Sequence, residues 1–279
     1  MNTRSRRVVA GVSTADSRAL VRWAAAEAAT QHAELQLVTA RPMPAAPDRY
    51  IPNDIAAAHR VAAVRMLAEL AQDVAAGWPE LAVTTEVVSG PPAAVLRAAA
   101  DGADLLVVGA DDASPFTEAI SGSVPGDLLA SAPCPLAVVP RREWTTPASA
   151  PVVVAFDESP VSQAALTYGY AAAHRTGRPL TIVSCVTADY PGRSAATRLH
   201  IAFAALYPDV EVSTEVTTDD PRHVLVAASR RASMLVLGSR GRGRLASGLF
   251  GSIGRHLIRR SACPVVVART QPAAVALSS

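Results

Sequence analysis

The run most suggestive of chemistry is Gly238-Ser239-Arg240-Gly241-Arg242-Gly243-Arg244-Leu245-Ala246-Ser247-Gly248-Leu249-Phe250-Gly251-Ser252. Glycines let a backbone turn back on itself and point its N–H groups at an anion. Gly251-Ser252 stands at the start of a predicted helix, where free N–H groups and the helix dipole favour phosphate. The Ser252 hydroxyl suits either a helix cap or a phosphate oxygen, and Arg240, Arg242 and Arg244 bring guanidinium charge alongside. From Pro221 to Ser279 there are ten Arg and not one Asp or Glu. All 26 basic residues of the chain are Arg, which excludes a P-loop lysine, a Schiff-base lysine and a lysine general base. Phosphate must then be held by backbone N–H groups, a helix N-terminus and arginine.

Other chemistries fit less well. Gly241-x-Gly243-x-x-Ala246 imitates a dinucleotide fingerprint, but that fingerprint expects an acidic residue ~20 positions on, and none follows Asp220. No G-x-S-x-G elbow stands on a strand-to-helix turn, so an α/β-hydrolase is unsupported. His32, His59, His174, His200, His223 and His256 show no metal-binding spacing, and His256 reads as a helix-surface residue. Cys134, Cys185 and Cys263 form no CxxC pair and suit a reducing cytosol, two of them as packing residues just before a strand. Trp23, Trp78 and Trp144 are scattered, and aromatics make up 4% of the chain, which argues against a nucleic-acid partner despite the arginines.

The elements that must position this loop occur twice. Residues 87–110 align with 216–239: Pro92 with Pro221, Leu96 with Leu225, Gly109 with Gly238. Without a gap, Gly122-Ser123 then aligns with Gly251-Ser252 and Cys134-Pro135 with Cys263-Pro264. RVVAGVS (7–13) matches VVVAFDE (152–158), and the Pro-rich stretch Arg41–Asp54 absorbs the change of offset. The 279 residues, at ~150 per domain, are therefore one unit used twice: residues 1–140 and 151–270, joined by a linker at 141–150 and followed by a tail at 271–279.

In the second unit, Val152–Phe156 reads as a buried strand, and Ser159-Pro160 opens an Ala-rich helix. Strands follow at Leu180–Val186 and Val210–Val216, then a helix from Pro221 to near Arg231. Met234–Leu237, a helix at Ser252–Arg260 and a strand at Pro264–Ala268 complete the unit, and the first unit follows the same order. Apolar strands alternating with helices predict an α/β chain of two tandem doubly wound domains, each a five-stranded parallel sheet with helices on both faces. Ligands in such Rossmann-like sheets sit beyond the carboxyl ends of the strands, where the strand order reverses. Two loops then matter: the one after the first strand, with Asp157, and the one from Gly238.

Half of the residues are hydrophobic and 18% are charged, enough apolar content for a packed core. No apolar run approaches the ~18 residues of a membrane span, and Asp16, Arg18 and Arg22 interrupt any secretory signal, so a cytoplasmic protein is expected.

The spacing G-x2-G-x9-G-S, realised as Gly238, Gly241, Gly251 and Ser252, resembles the ATP-binding signature of the universal stress protein family. VVVAFDESPVSQAAL at the start of a unit, the CPVVV strand at its end and the duplication are similar to that family too. The resemblance covers nearly the whole chain and implies the tandem actinobacterial type, with a fold like that of the adenine nucleotide alpha hydrolases. It implies an ATP-binding regulatory protein of stress or dormancy responses, often a homodimer; the alternative is a slow ATP hydrolase or nucleotidyl-transfer enzyme. Carried over, it implies that Asp157 meets the ribose or a phosphate-bound Mg2+, that Ala155 stands where the family often has Gly, and that Cys185 or Val186 holds adenine. Gly238, Ser239, Arg240, Gly241, Arg242, Gly243, Arg244, Gly251, Ser252, Ile253 and Gly254 would take the phosphates. Asp219 stands where the first unit has Gly90 and would crowd or tune the nucleotide.

The first unit departs from the pattern. Its corresponding residues are Gly11, Ser13, Ala40, Gly109, Asp112, Gly122, Ser123 and Val124. Ser13 replaces the Asp, Asp112 takes the second Gly position, and Asp111 and Glu118 add acid. Each such carboxylate repels a triphosphate by ~1 kcal/mol or more at ~4 Å even in bulk water. ATP is therefore expected mainly in the second unit, unless Mg2+ bridges Asp111 or Asp112 to the phosphates.

Overall fold

The computed structural model describes residues 5–13, 17–41, 53–110, 123–141, 144–157, 159–185, 202–239 and 249–269. The chain divides into two compact units, Met1–Glu143 and Trp144–Ser279.

The first unit runs β1 (Arg7–Gly11), α1 (Arg18–Thr30), β2 (Glu34–Arg41), α2 (Asn53–Gly77), β3 (Val83–Ser89), α3 (Pro92–Ala99), β4 (Leu105–Gly109), α4 (Val124–Ser131) and β5 (Leu136–Val139). Its strands are all parallel, in the order β3-β2-β1-β4-β5. The second runs β6 (Val152–Ala155), α5 (Pro160–Thr176), β7 (Leu180–Cys185), β8 (Val212–Thr217), α6 (Pro221–Ser229), β9 (Met234–Gly238), α7 (Leu249–Arg260) and β10 (Val265–Ala268). Residues 202–206 are also helical. Its sheet has the matching parallel order β10-β9-β6-β7-β8. Each unit is thus the doubly wound five-stranded sheet that the sequence predicts, with the order reversing at β1 and at β6.

The reasons lie in local chemistry and burial. Val152, Val153 and Val154 are fully buried, as a strand covered on both faces requires. β8, at an edge, alternates less cleanly, and Val216 is 58% exposed. The Ser159 hydroxyl accepts from the Ser162 N–H at 3.2 Å and Pro160 fills the first turn, so α5 starts where capping chemistry predicts. Asp220 caps α6 by accepting from the Arg222 N–H at 2.8 Å. α7 buries Ile253 and Leu257 against Leu225, Leu235 and Val265. Full burial of a side chain of that size is worth ~1.5–3 kcal/mol.

The start of α7 differs from the expectation. It begins at Leu249, so Gly251 and Ser252 lie inside the first turn and Ser252 does not hold the cap position. In the first unit the matching Ser123 does cap its helix, accepting from the Gly126 N–H at 3.1 Å. Position 125 explains the difference. Pro125 has no N–H to donate and holds α4 to a start at Val124, whereas the aligned residue is Gly254, which lets α7 extend backward by a turn.

The joining segment is tied to the second unit. The Arg178 guanidinium donates to the carbonyls of Pro147, Ala148 and Ala150 at 3.0, 2.9 and 3.1 Å.

Candidate functional site

In the second unit the carboxyl ends of β6 and β7 and the start of α6 enclose a cavity of 90 Å³, at the point where the strand order reverses. Ala155, Phe156, Asp157, Val183, Cys185, Pro221, Leu225 and Ile253 line it. Asp157 is exposed at its mouth. Its Oδ1 accepts from the Ser159 hydroxyl at 2.6 Å and from the Ser159 N–H at 3.1 Å. The carboxylate therefore fixes the turn into α5 through Oδ1. This is an Asx turn, visible in sequence as Asp-x-Ser.

Gly238 closes the other side by contact. A Cβ on Gly238 would stand 2.9 Å from the Ser162 nitrogen and closer still to the Val161 carbonyl, so the end of β9 meets the first turn of α5 backbone to backbone. That contact sets the end of β9 against the helix that the Asp157 turn opens. The Ser239 N–H itself donates to the Ala268 carbonyl at 2.9 Å and belongs to the sheet.

Cys185 is half-buried, and burial together with the charges of Asp219 and Asp220 pushes its thiol pKa up. It remains a neutral thiol at the cavity wall and a poor nucleophile. Asp219 does not copy Gly90. Gly90 has φ +148°, a conformation that side chains rarely adopt, and Asp219 has no positive φ. Its carboxylate instead accepts from the Thr217 hydroxyl at 3.0 Å. Acting on Cys185, Asp219 and Asp220 lend the cavity negative charge.

The equivalent cavity of the first unit is larger, 360 Å³. Gly11, Ser13, Ala40, Gly109 and Val124 line it together with Leu20, Pro92, Leu96, Val139 and Arg141. A Cβ on Gly109 would meet only Leu20 at 3.5 Å, an ordinary contact, so the backbone approach at Gly238 has no counterpart here.

The sequence model of the Universal stress protein family matches residues 4–140 and again 150–269. The chain belongs to the universal stress protein family. Universal stress protein Rv2005c of Mycobacterium tuberculosis is 30% identical over 217 residues, 72% of this chain and 74% of its own length. A universal stress protein of Mycolicibacterium smegmatis is 28% identical over 283 residues and covers 94% of this chain and 96% of its own. The crystal structure of a universal stress protein from Archaeoglobus fulgidus matches 96% of this chain with a TM-score of 0.77 at 20% identity, a likeness of fold.

Of the residues that the family signature singles out in the second unit, the structure brings Ala155, Asp157, Cys185 and Ile253 to one cavity. Gly238 and Ser239 end β9 beside it, and Gly251, Ser252 and Gly254 lie in the first half of α7. Val186, Arg240, Gly241, Arg242, Gly243 and Arg244 lie outside the described residues, as do Asp111, Asp112, Glu118 and Gly122 of the first unit. Phe156, Val183, Pro221 and Leu225 were not singled out as site residues. Pro221 carried a usable signal, since a proline opening a helix directly after a strand marks the ligand end of the sheet. No helix among the described residues is long and apolar enough to cross a membrane. No cluster of three or more His, Cys, Asp or Glu suited to a metal occurs among them.

Proposed function

We propose that this universal stress protein binds ATP in its second unit and acts as a nucleotide-dependent regulator of a stress or dormancy response. The observation that carries the reading is the convergence of the Asp157 turn, the end of β9 at Gly238 and the first turn of α7 at the switch point of one sheet. The base and ribose enter between Ala155, Cys185 and Leu225. The phosphates meet the N–H groups at the start of α7 and the arginines between Gly238 and Gly251.

Charge selects the second unit. Trp144–Ser279 holds 14 Arg against 8 acids, and Met1–Glu143 holds 12 Arg against 16 acids. The first unit offers more room, but it presents Ser13 in place of Asp157 and three carboxylates between Gly109 and Gly122.

Mg2+ fits as a companion of the phosphates. Asp157 is the one carboxylate lining the described cavity, and Mg2+ is commonly held by one or two carboxylates with phosphate oxygens and water. The ion would neutralise phosphate charge, and Asp157 Oδ2 would hold it. The same lone carboxylate favours binding over turnover, because Asp157 already holds Ser159 and has, among the described residues, no partner to orient a water. Mass spectrometry of ligand released from the denatured purified protein tests the reading: bound ATP is expected, and a different ligand at full occupancy would overturn it.

A further inference from the structure

Seven of the ten arginines beyond Pro221 lie outside the phosphate loop, and ATP accounts for none of them. Several gather where α6 and α7 pack side by side. The helices meet through Leu225 and Ala228 against Ile253 and Leu257, and the Ser229 hydroxyl accepts from the Ala262 N–H at 2.9 Å just beyond α7. This aligns them in parallel, with Arg222 and His223 of α6 near enough to act on His256 of α7, and Arg260 one turn further along α7. Arg222, His223 and Arg260 are exposed and His256 is half-buried.

Little acid balances them. Asp220 is the one carboxylate acting on His256, and it is engaged in capping α6. Among the described residues neither Arg222 nor Arg260 has a carboxylate partner, whereas Arg231 is held by both oxygens of Glu215 at 2.6 and 2.9 Å. Burial first, then Arg222 and Arg260, push the His256 pKa down, with His223 adding to the effect and Asp220 opposing it. Like charges held together in this way are relieved by a polyanion.

We propose that the α6–α7 face binds a linear polyphosphate chain through Arg222, His223, His256 and Arg260. The cluster has guanidinium forks suited to phosphate oxygens. Among the described residues it has no Phe, Tyr or Trp on which a nucleic-acid base could stack, which favours a bare phosphate chain over single-stranded nucleic acid. The site begins one helical turn beyond Ser252 and does not require ATP in the cavity.

The test is titration of the full chain with short-chain sodium polyphosphate, with and without saturating ATP. Wild type is compared with an Arg222→Gln/Arg260→Gln double variant, whose two exposed positions leave the core untouched. Polyphosphate affinity should fall roughly tenfold or more in the variant, while ATP affinity stays the same. In wild type, polyphosphate should raise the His256 titration midpoint followed by NMR, because it neutralises the cations that depress it; this readout needs no variant. Equal polyphosphate affinity in both proteins, or a His256 midpoint that polyphosphate does not move, would overturn the proposal. So would a DNA duplex that binds more tightly at equal phosphate concentration with the same dependence on Arg222 and Arg260. Loss of ATP binding alone would count against the ATP site and leave this one standing.

Discussion

Gly238 and Val161 meet backbone to backbone, and no side chain fits between them. This one contact joins the end of β9 to the start of α5, the helix that the Asp157 turn opens. Gly238→Ala should destabilise the protein by ~1–3 kcal/mol, the cost of overpacking where the obstacle is backbone. Gly109→Ala should leave stability unchanged or raise it by up to ~1 kcal/mol, because its new methyl would meet only Leu20. Chemical unfolding of the two variants checks this; equal losses would contradict it.

Asp157 has two separable duties. Its Oδ1 holds Ser159, and in the proposed site its charge would meet Mg2+. Asp157→Asn keeps the acceptor and should retain stability while removing the Mg2+ dependence of ATP binding. Asp157→Ala should remove that dependence too and also lower stability by ~0.5–1.5 kcal/mol. Melting curves alongside ATP titrations with and without Mg2+ separate the two.

Cys185 should alkylate before Cys134 and Cys263, because it is half-buried and they are buried. All three should be slow at neutral pH. Burial pushes the Cys263 thiol up to about 11, and Cys185 is raised by burial and by Asp219 and Asp220. Asp219→Asn removes one of those charges and should speed Cys185 alkylation roughly two- to fivefold, the scale of a surface charge pair. Mass-spectrometric time courses with iodoacetamide report the order and the rate.

The Asp209 carboxylate accepts from the His174 ring at 2.7 Å, and that hydrogen bond holds its pKa below the ordinary value of 3.8. A carboxyl lowered on folding adds stability above its unfolded value and loses it as the pH falls through the folded one. The melting temperature of wild type should therefore exceed that of Asp209→Asn at pH 5, and the two should converge in strong acid. Both side chains are half exposed, so the difference should be small and should shrink with added salt.

Local chemistry was the legible part of this chain. Ser159-Pro160 announces α5, and the apolar runs at Val152 and Met234 announce buried strands, because caps and burial act within a few residues. The repeat revealed the second use of the fold before any strand order was known. Non-local relations were not legible. The nearness of Gly238 to Val161 depends on how a strand and a helix 70 or more positions apart in the chain pack together. The start of α7 was misplaced because Ser252 resembles a cap, when its aligned partner Ser123 caps only with Pro125 two residues on. Pro-rich residues 41–54 likewise hid the start of the 25-residue α2 at Asn53.

The central claim is one ATP site, in the second unit. Calorimetric titration of the full chain with ATP and Mg2+ tests it most directly, in wild type, Gly251→Glu and Gly122→Glu. One site per chain is predicted, lost in Gly251→Glu and kept in Gly122→Glu. Two equal sites, or a site lost only in Gly122→Glu, would contradict it.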